Sequence, residues 1–243
     1  MQKLKVGFNF VIICLFLFCT SQVEAFEVKH AGALKNFMRK GDISAKFDLT
    51  DLKNKKGLYA LGALENLRGE IQIFDSVPYN TFSSHEEQLS FDHSFQKKAS
   101  LLVYTEVTAW DELEIPASIS TKDQLERFVK NAASKNGVDT EKPFPFLITG
   151  KAASISWHVI NWDKNDVHHT HRKHIESGPN GTLENVNALI LGFYSSKHKA
   201  IFTHHSTNMH MHFKTVDNKV AGHIDQITLD QKMYLKLPRN ESR

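Results

Sequence analysis

The chain has 243 residues, with 30 Lys and Arg against 27 Asp and Glu and a net charge of +3, too even a balance for a nucleic-acid or membrane-surface footprint. Its two cysteines, Cys14 and Cys19, both precede residue 26, so the rest of the chain offers no disulfide and no thiolate ligand. Histidine is the unusual residue: all 14 lie beyond residue 25.

Met1 to Lys5 is short and basic, Val11 to Cys19 is uncharged and apolar, and Val23-Glu24-Ala25 is a small-x-small exit. Together they read as a secretory signal peptide over residues 1–25, too short for the roughly 20 residues of a membrane span. A secreted or periplasmic protein is expected, with residues 26–243 as a single domain, built if need be from two interlocked sheets.

His30 to Lys40 reads as a short amphipathic helix. Leu34, Phe37 and Met38 share a face, Arg39 and Lys40 sit in the last turn, and Gly41 stops it. Strand patterns follow at Leu58–Leu64, Glu70–Phe74 and Ser100–Val107. A clearer helix starts at Thr121. Gln124 three residues on makes a capping box, Leu125, Phe128, Val129, Ala132 and Ala133 form one stripe, and Gly137 ends it.

Further strands are expected at Ala153–Asn161, Asn187–Tyr194, Lys199–Thr203, Asn208–Thr215 and Lys232–Leu237, with turns at Asn180-Gly181 and Asp217-Asn218. His168 to His174 has loop composition and reads as a solvated, His-rich loop. The fold class is α+β: predominantly mixed or antiparallel β-sheet with a few helices.

Asn208-Met-His210-Met-His212-Phe alternates strictly, so His210 and His212 share one strand face about 7 Å apart while Met209, Met211 and Phe213 enter a core. A turn over Val216–Lys219 would bring His223 back beside them. Three histidines with an open fourth position form the arrangement of catalytic zinc, whereas structural zinc sites are closed and usually use Cys. The bland alternative is a polar strand face. His204 and His205, just before that strand, are expected at the pocket entrance and not as ligands. Glu70 and Gln72 share the face opposite Ile71 and Ile73.

Three stretches resemble the acetolactate decarboxylase family. The first is Lys40-Gly41-Asp42 with Gly57 through Gly69-Glu70, the second Pro143 to Gly150, and the third His210-Met-His212-Phe through Gly222-His223. The resemblance implies a zinc-dependent enzyme, free of organic cofactors, that converts 2-acetolactate to acetoin and CO2. It implies His210, His212 and His223 as the metal ligands and Glu70 as the catalytic carboxylate that handles the proton or the substrate hydroxyl. The expected partner is a small α-hydroxy-β-keto acid, a homodimer is the expected assembly, and neither nucleic acid nor, after signal cleavage, membrane is expected.

The chain also departs from the family pattern. Leu147 stands where the family has an arginine, Ala63 replaces a threonine and Arg68 an aspartate. Of the family's C-terminal glutamate only Glu241 is a candidate. Lys151, Arg68 and Arg172 are the candidate replacements for the arginine's charge. These departures keep a second reading open: an esterase-like metal hydrolase, or a metal-binding protein without catalysis, on the same scaffold.

Overall fold

The computed structural model describes residues 26–84 and 88–239; the signal-peptide segment and Glu241 lie outside them. Strands β1 to β8 (Lys29–Ala31, Phe47–Asp48, Leu58–Leu64, Glu70–Phe74, Val77–Pro78, Asn80–Ser83, Leu89–Asp92 and Lys98–Glu106) form the first sheet. Strands β9 to β14 (Trp110–Glu114, Phe144–His158, Asn180–Tyr194, Met209–Thr215, Ala221–Leu229 and Tyr234–Pro238) form the second. Every ladder in both sheets is antiparallel. Three α-helices, α1 (Leu34–Lys40), α2 (Lys122–Lys135) and α3 (His171–Glu176), complete the architecture, as the α+β expectation requires.

The first sheet runs β1-β8-β3-β4-β6-β7 and is covered on both sides. That is why Leu58–Leu64 carries no charged residue: Tyr59, Leu61 and Ala63 face the second sheet, while Leu58, Ala60 and Leu64 pack with Leu49, Leu52, Ile71 and Ile73 on the far side. In the second sheet β10 pairs along one edge with β11, and its other edge divides between β14 and β13. β11 pairs β12 and β12 pairs β13, so β10 to β13 close on themselves. One face of this closed unit packs with α2 through Phe146, Ile155, Ile190, Met211, Phe213 and Leu125. Each such side chain taken from water contributes about 1.5–3 kcal/mol. The other face turns toward the first sheet, and there the polar residues of β12, β13 and β4 meet.

α2 is as the sequence predicts. Thr121 accepts from the Gln124 amide while the Gln124 side chain accepts from the Thr121 amide, a reciprocal capping box. Four expectations are corrected. α1 begins at Leu34, because Lys29–Ala31 pairs with Leu102–Tyr104 of β8 and Gly32 turns the chain at φ +76°. Its first free amides, at Leu34 and Lys35, donate to the carbonyls of Ile201 and Ala200, which compensates for the missing side-chain cap at Ala33.

Those carbonyls belong to the stretch expected as a strand over Lys199–Thr203. It is a turn closed by one isolated bridge, with Ala200 at φ +59°. Asn180-Gly181 is not a turn but the start of β11, paired with His158 and Trp157. Finally, His171–Glu176 is helical, with the Thr170 hydroxyl accepting from the Lys173 amide as N-cap.

Candidate metal centre

β12 and β13 pair in register at His212 and His223, and β13 pairs with β10 at His223 and His158. Three histidines therefore stand side by side across three adjacent strands, about 4.8 Å per strand. His210, two residues before His212, shares its face. Gly222 permits this spacing: a Cβ there would lie 2.6 Å from the His158 carbonyl oxygen, so only glycine lets β13 approach β10 so closely.

His210 Nε2 lies 3.1 Å from His212 Nε2, and His223 Nδ1 lies 3.2 and 3.3 Å from them. His212 is fully buried, His210 nearly so, and His223 forms part of a cavity wall. Burial pushes all three well below the ordinary histidine value, His210 to about 3, against the opposing pull of the Phe202 carbonyl on that ring. The three rings are therefore neutral.

The tautomer of His212 follows from its neighbour. Gln72 is fully buried, and its amide nitrogen donates to the Tyr79 carbonyl and, at 3.0 Å, to the Thr81 hydroxyl. Its oxygen then faces His212 Nδ1 at 3.1 Å, so Nδ1 carries the hydrogen and Nε2 presents a lone pair to the other two histidines. A buried triangle of imidazole nitrogens containing a bare lone pair could hold a shared cation. Tetrahedral zinc with bonds of about 2.0–2.1 Å separates its ligand nitrogens by about 3.3–3.4 Å, close to the triangle present. The donor set fits a divalent ion that takes imidazole, and His210, His212 and His223 form the three-residue cluster able to hold one among the described residues.

Glu70 comes from β4 across the sheet interface. One carboxylate oxygen is 3.8 Å from His212 Nε2; the other accepts the Ile160 amide at 3.2 Å and stands 3.9 Å from His158 Nε2. Burial raises its pKa to about 8, against the pull of nearby His158. His158 is itself buried and bonded through Nδ1 to Asp225 at 2.9 Å. Burial would lower its pKa, but Asp225 and Glu70 outweigh it and the net direction is up. Asp225 thus leaves His158 Nε2 aimed at Glu70.

Glu70, His158, His210, His223 and Asp225 border a cavity of about 370 Å³ whose wall also includes Phe37, Lys122, His171, His174 and His204. The sequence-predicted quartet of Glu70, His210, His212 and His223 comes together here. His204 lines the cavity as expected, whereas His205 does not line it and lies tilted against His204 with centroids 3.9 Å apart. The His-rich run is not a solvated loop: α3 brings His171 and His174 to the cavity wall, with His174 buried against Trp162.

Leu147 shares the rung of Leu191 and His212 on the same face, but it is buried in the apolar cluster between the sheets. None of its three candidate substitutes reaches the cavity. Arg68 donates to the Trp162 carbonyl, Lys151 is exposed on β10, and Arg172 is exposed and paired with Glu176.

Sequence reasoning missed His158, Asp225 and Lys122, and saw Gln72 only as the face-mate of Glu70. Period-two spacing carried part of this signal, since Asp225 is two residues from His223 and His158 ends the alternating Ser154-Ser156-His158 face. Lys122 had no comparable signal.

A family model described as alpha-acetolactate decarboxylase matches residues 31–239. No curated protein matches the sequence. The alpha-acetolactate decarboxylase structure from Bacillus subtilis strain 168 is similar, with 14% identity, 87% of this chain and 85% of that chain covered, and a TM-score of 0.68. A Staphylococcus aureus protein of unknown function, described as similar to alpha-acetolactate decarboxylase, is 14% identical over 88% of this chain and 86% of its own, with a TM-score of 0.66. At this identity the two structures bear on the fold.

Proposed function

The chain belongs to the alpha-acetolactate decarboxylase family, and from that premise we propose that it is an exported, zinc-dependent decarboxylase that converts 2-acetolactate to acetoin and CO2. The observation that carries this reading is the convergence of three neutral histidine nitrogens 3.1–3.3 Å apart beside the buried carboxyl of Glu70.

A zinc ion held by His210, His212 and His223 supplies Lewis-acid polarisation of a substrate carbonyl oxygen. The chain's own residues do the rest. The cavity wall, Phe37 included, gives a small α-hydroxy-β-keto acid a place beside the triad. When the bond to the carboxylate breaks, its electron pair passes into the adjacent ketone, which is why no organic cofactor is required. The new carbon centre then takes a proton, and Glu70, with one carboxylate oxygen 3.8 Å from His212 Nε2, stands where it can handle that proton. The Ile160 amide fixes one Glu70 oxygen and leaves the other on the triad side. His158, oriented by Asp225, sits behind Glu70. Residues 1–25, with their basic start and apolar run, support export.

Leu147 favours a second reading, because the apolar cluster around it holds no cation where the family resemblance implies one. On that reading the same centre serves an esterase-like hydrolase, or binds metal without catalysis. Incubation of residues 26–243 with acetolactate and with a simple ester, each with and without a chelator, separates the two. Chelator-sensitive release of acetoin is expected. Turnover of the ester alone, or of neither, overturns the decarboxylase.

A further inference from the structure

Lys122 is the one lysine or arginine on the cavity wall among the described residues. It is the first residue of α2, and its stem is largely covered by protein. Its ammonium donates at 2.8 Å to the Asp225 backbone carbonyl, on the strand that carries His223 two residues earlier. Among the described residues no carboxylate lies within ion-pair distance of it, so its remaining hydrogens are not committed to an acidic side chain. Burial lowers its pKa against the pull of Asp225, Glu126 and Asp123.

The amine is also held in place. One turn along α2, Glu126 accepts from the Thr207 hydroxyl, from the Asn208 amide at 3.1 Å and from the Asn208 side chain at 2.6 Å. Those residues lead directly into β12, so the helix that presents Lys122 is tied to the strand that presents His210 and His212. A lysine anchored at one hydrogen, aimed along a cavity wall and braced to the ligand strand is a pre-organised point charge for an anion.

We propose that Lys122 holds the carboxylate of the substrate in the cavity beside the histidine triad, taking over the charge that Leu147 does not provide. This rests on the reading of the cavity as the site of a small 2-hydroxy acid.

The test is calorimetric binding of 2-hydroxyisobutyrate and of its neutral amide to the zinc-loaded protein, compared among wild type, Lys122→Met, Lys122→Gln and Lys122→Arg, with zinc content measured for each. In the Met and Gln variants the acid is expected to bind at least tenfold more weakly and the amide within twofold of wild type, at unchanged zinc content. Lys122→Arg is expected to keep most of the acid affinity. Equal weakening of acid and amide, no weakening of either, or failure of the acid to bind wild type overturns the proposal. Acetoin release from acetolactate is assayed on the same samples. A wild type that shows the lysine-dependent preference yet makes no acetoin upholds the anion site and removes the decarboxylase reading.

Discussion

At the scale of single residues the candidate metal centre depends on a glutamine. Gln72 touches no candidate ligand atom, yet its buried amide decides which nitrogen of His212 carries hydrogen. Removing such an orienting partner typically costs 10–100-fold in metal affinity. Gln72→Leu is therefore expected to weaken zinc binding by roughly 10–100-fold, read by competition with a chromophoric chelator; unchanged affinity would remove the orienting role.

Protonation sets a second prediction. In the metal-free protein His210 and His174 have folded pKa values of about 3, pushed down chiefly by burial, while unfolded histidine titrates near 6.5. Between those values the unfolded chain binds more protons, so stability falls as pH drops below about 6.5, at about 1.4 kcal/mol per pH unit for each such group. Glu70 acts in the opposite sense. Its folded value of about 8 exceeds its unfolded value of about 4.3, so its contribution to stability declines as pH rises between the two and is gone above 8. Urea midpoints of the metal-free protein should accordingly peak near pH 6–7. A midpoint that holds level from pH 7 to pH 5 would contradict the buried neutral histidines.

At the scale of elements, the β12–β13 hairpin carries the three candidate ligands, and its seat against β10 depends on Gly222. A methyl group there would lie 2.6 Å from the His158 carbonyl oxygen, too close for any real contact, and that oxygen is backbone that cannot swing away. Gly222→Ala should shift β13, separate His223 from the pair and destabilise the fold by on the order of 1–3 kcal/mol, as overpacking does. Calorimetric melting and zinc stoichiometry together check this, and a variant with full zinc and an unshifted melting temperature would refute it.

Elements also show what a sequence conveys. Leu58–Leu64, Glu70–Phe74 and α2 were legible to the residue, the first as an unbroken uncharged run, the second by period-two alternation and the third by a helical stripe with a capping box. α3 was not: five of its six residues are polar or charged, Ile175 alone makes no apolar stripe, and its helix depends on the Thr170 cap and on packing His174 against Trp162. The turn at Lys199–Thr203 looked like a strand because Ile201 and Phe202 are apolar; its carbonyls instead cap α1.

At the scale of the whole molecule the triad lies where the two sheets meet, since β12 and β13 belong to one and Glu70 and Gln72 to the other. A bound ion would link the sheets and be absent from the unfolded chain, so metal should stabilise the folded state by mass action. With free zinc at about 1,000 times its dissociation constant the gain is about 4 kcal/mol. Chelation of the zinc-loaded protein is thus expected to lower the melting temperature by several degrees, and restored zinc to recover it. A melting curve indifferent to chelator would mean that the triad holds no ion.

The sequence by itself determined the α+β class, the helix over Lys122–Lys135 and the quartet of Glu70, His210, His212 and His223. Alternation places residues two apart on one face whatever the strand packs against, and the family resemblance linked the distant members. Only the tertiary structure decided which groups surround that quartet. Gln72 beneath His212, His158 with Asp225 behind Glu70, and Lys122 on the wall are set by strand register and by the seating of α2 on β12. Those are properties of distant segments meeting, and no local pattern encodes them. The same holds for the exclusion of Arg68, Lys151 and Arg172: a positive charge is visible in sequence, but the direction in which it points is settled by packing.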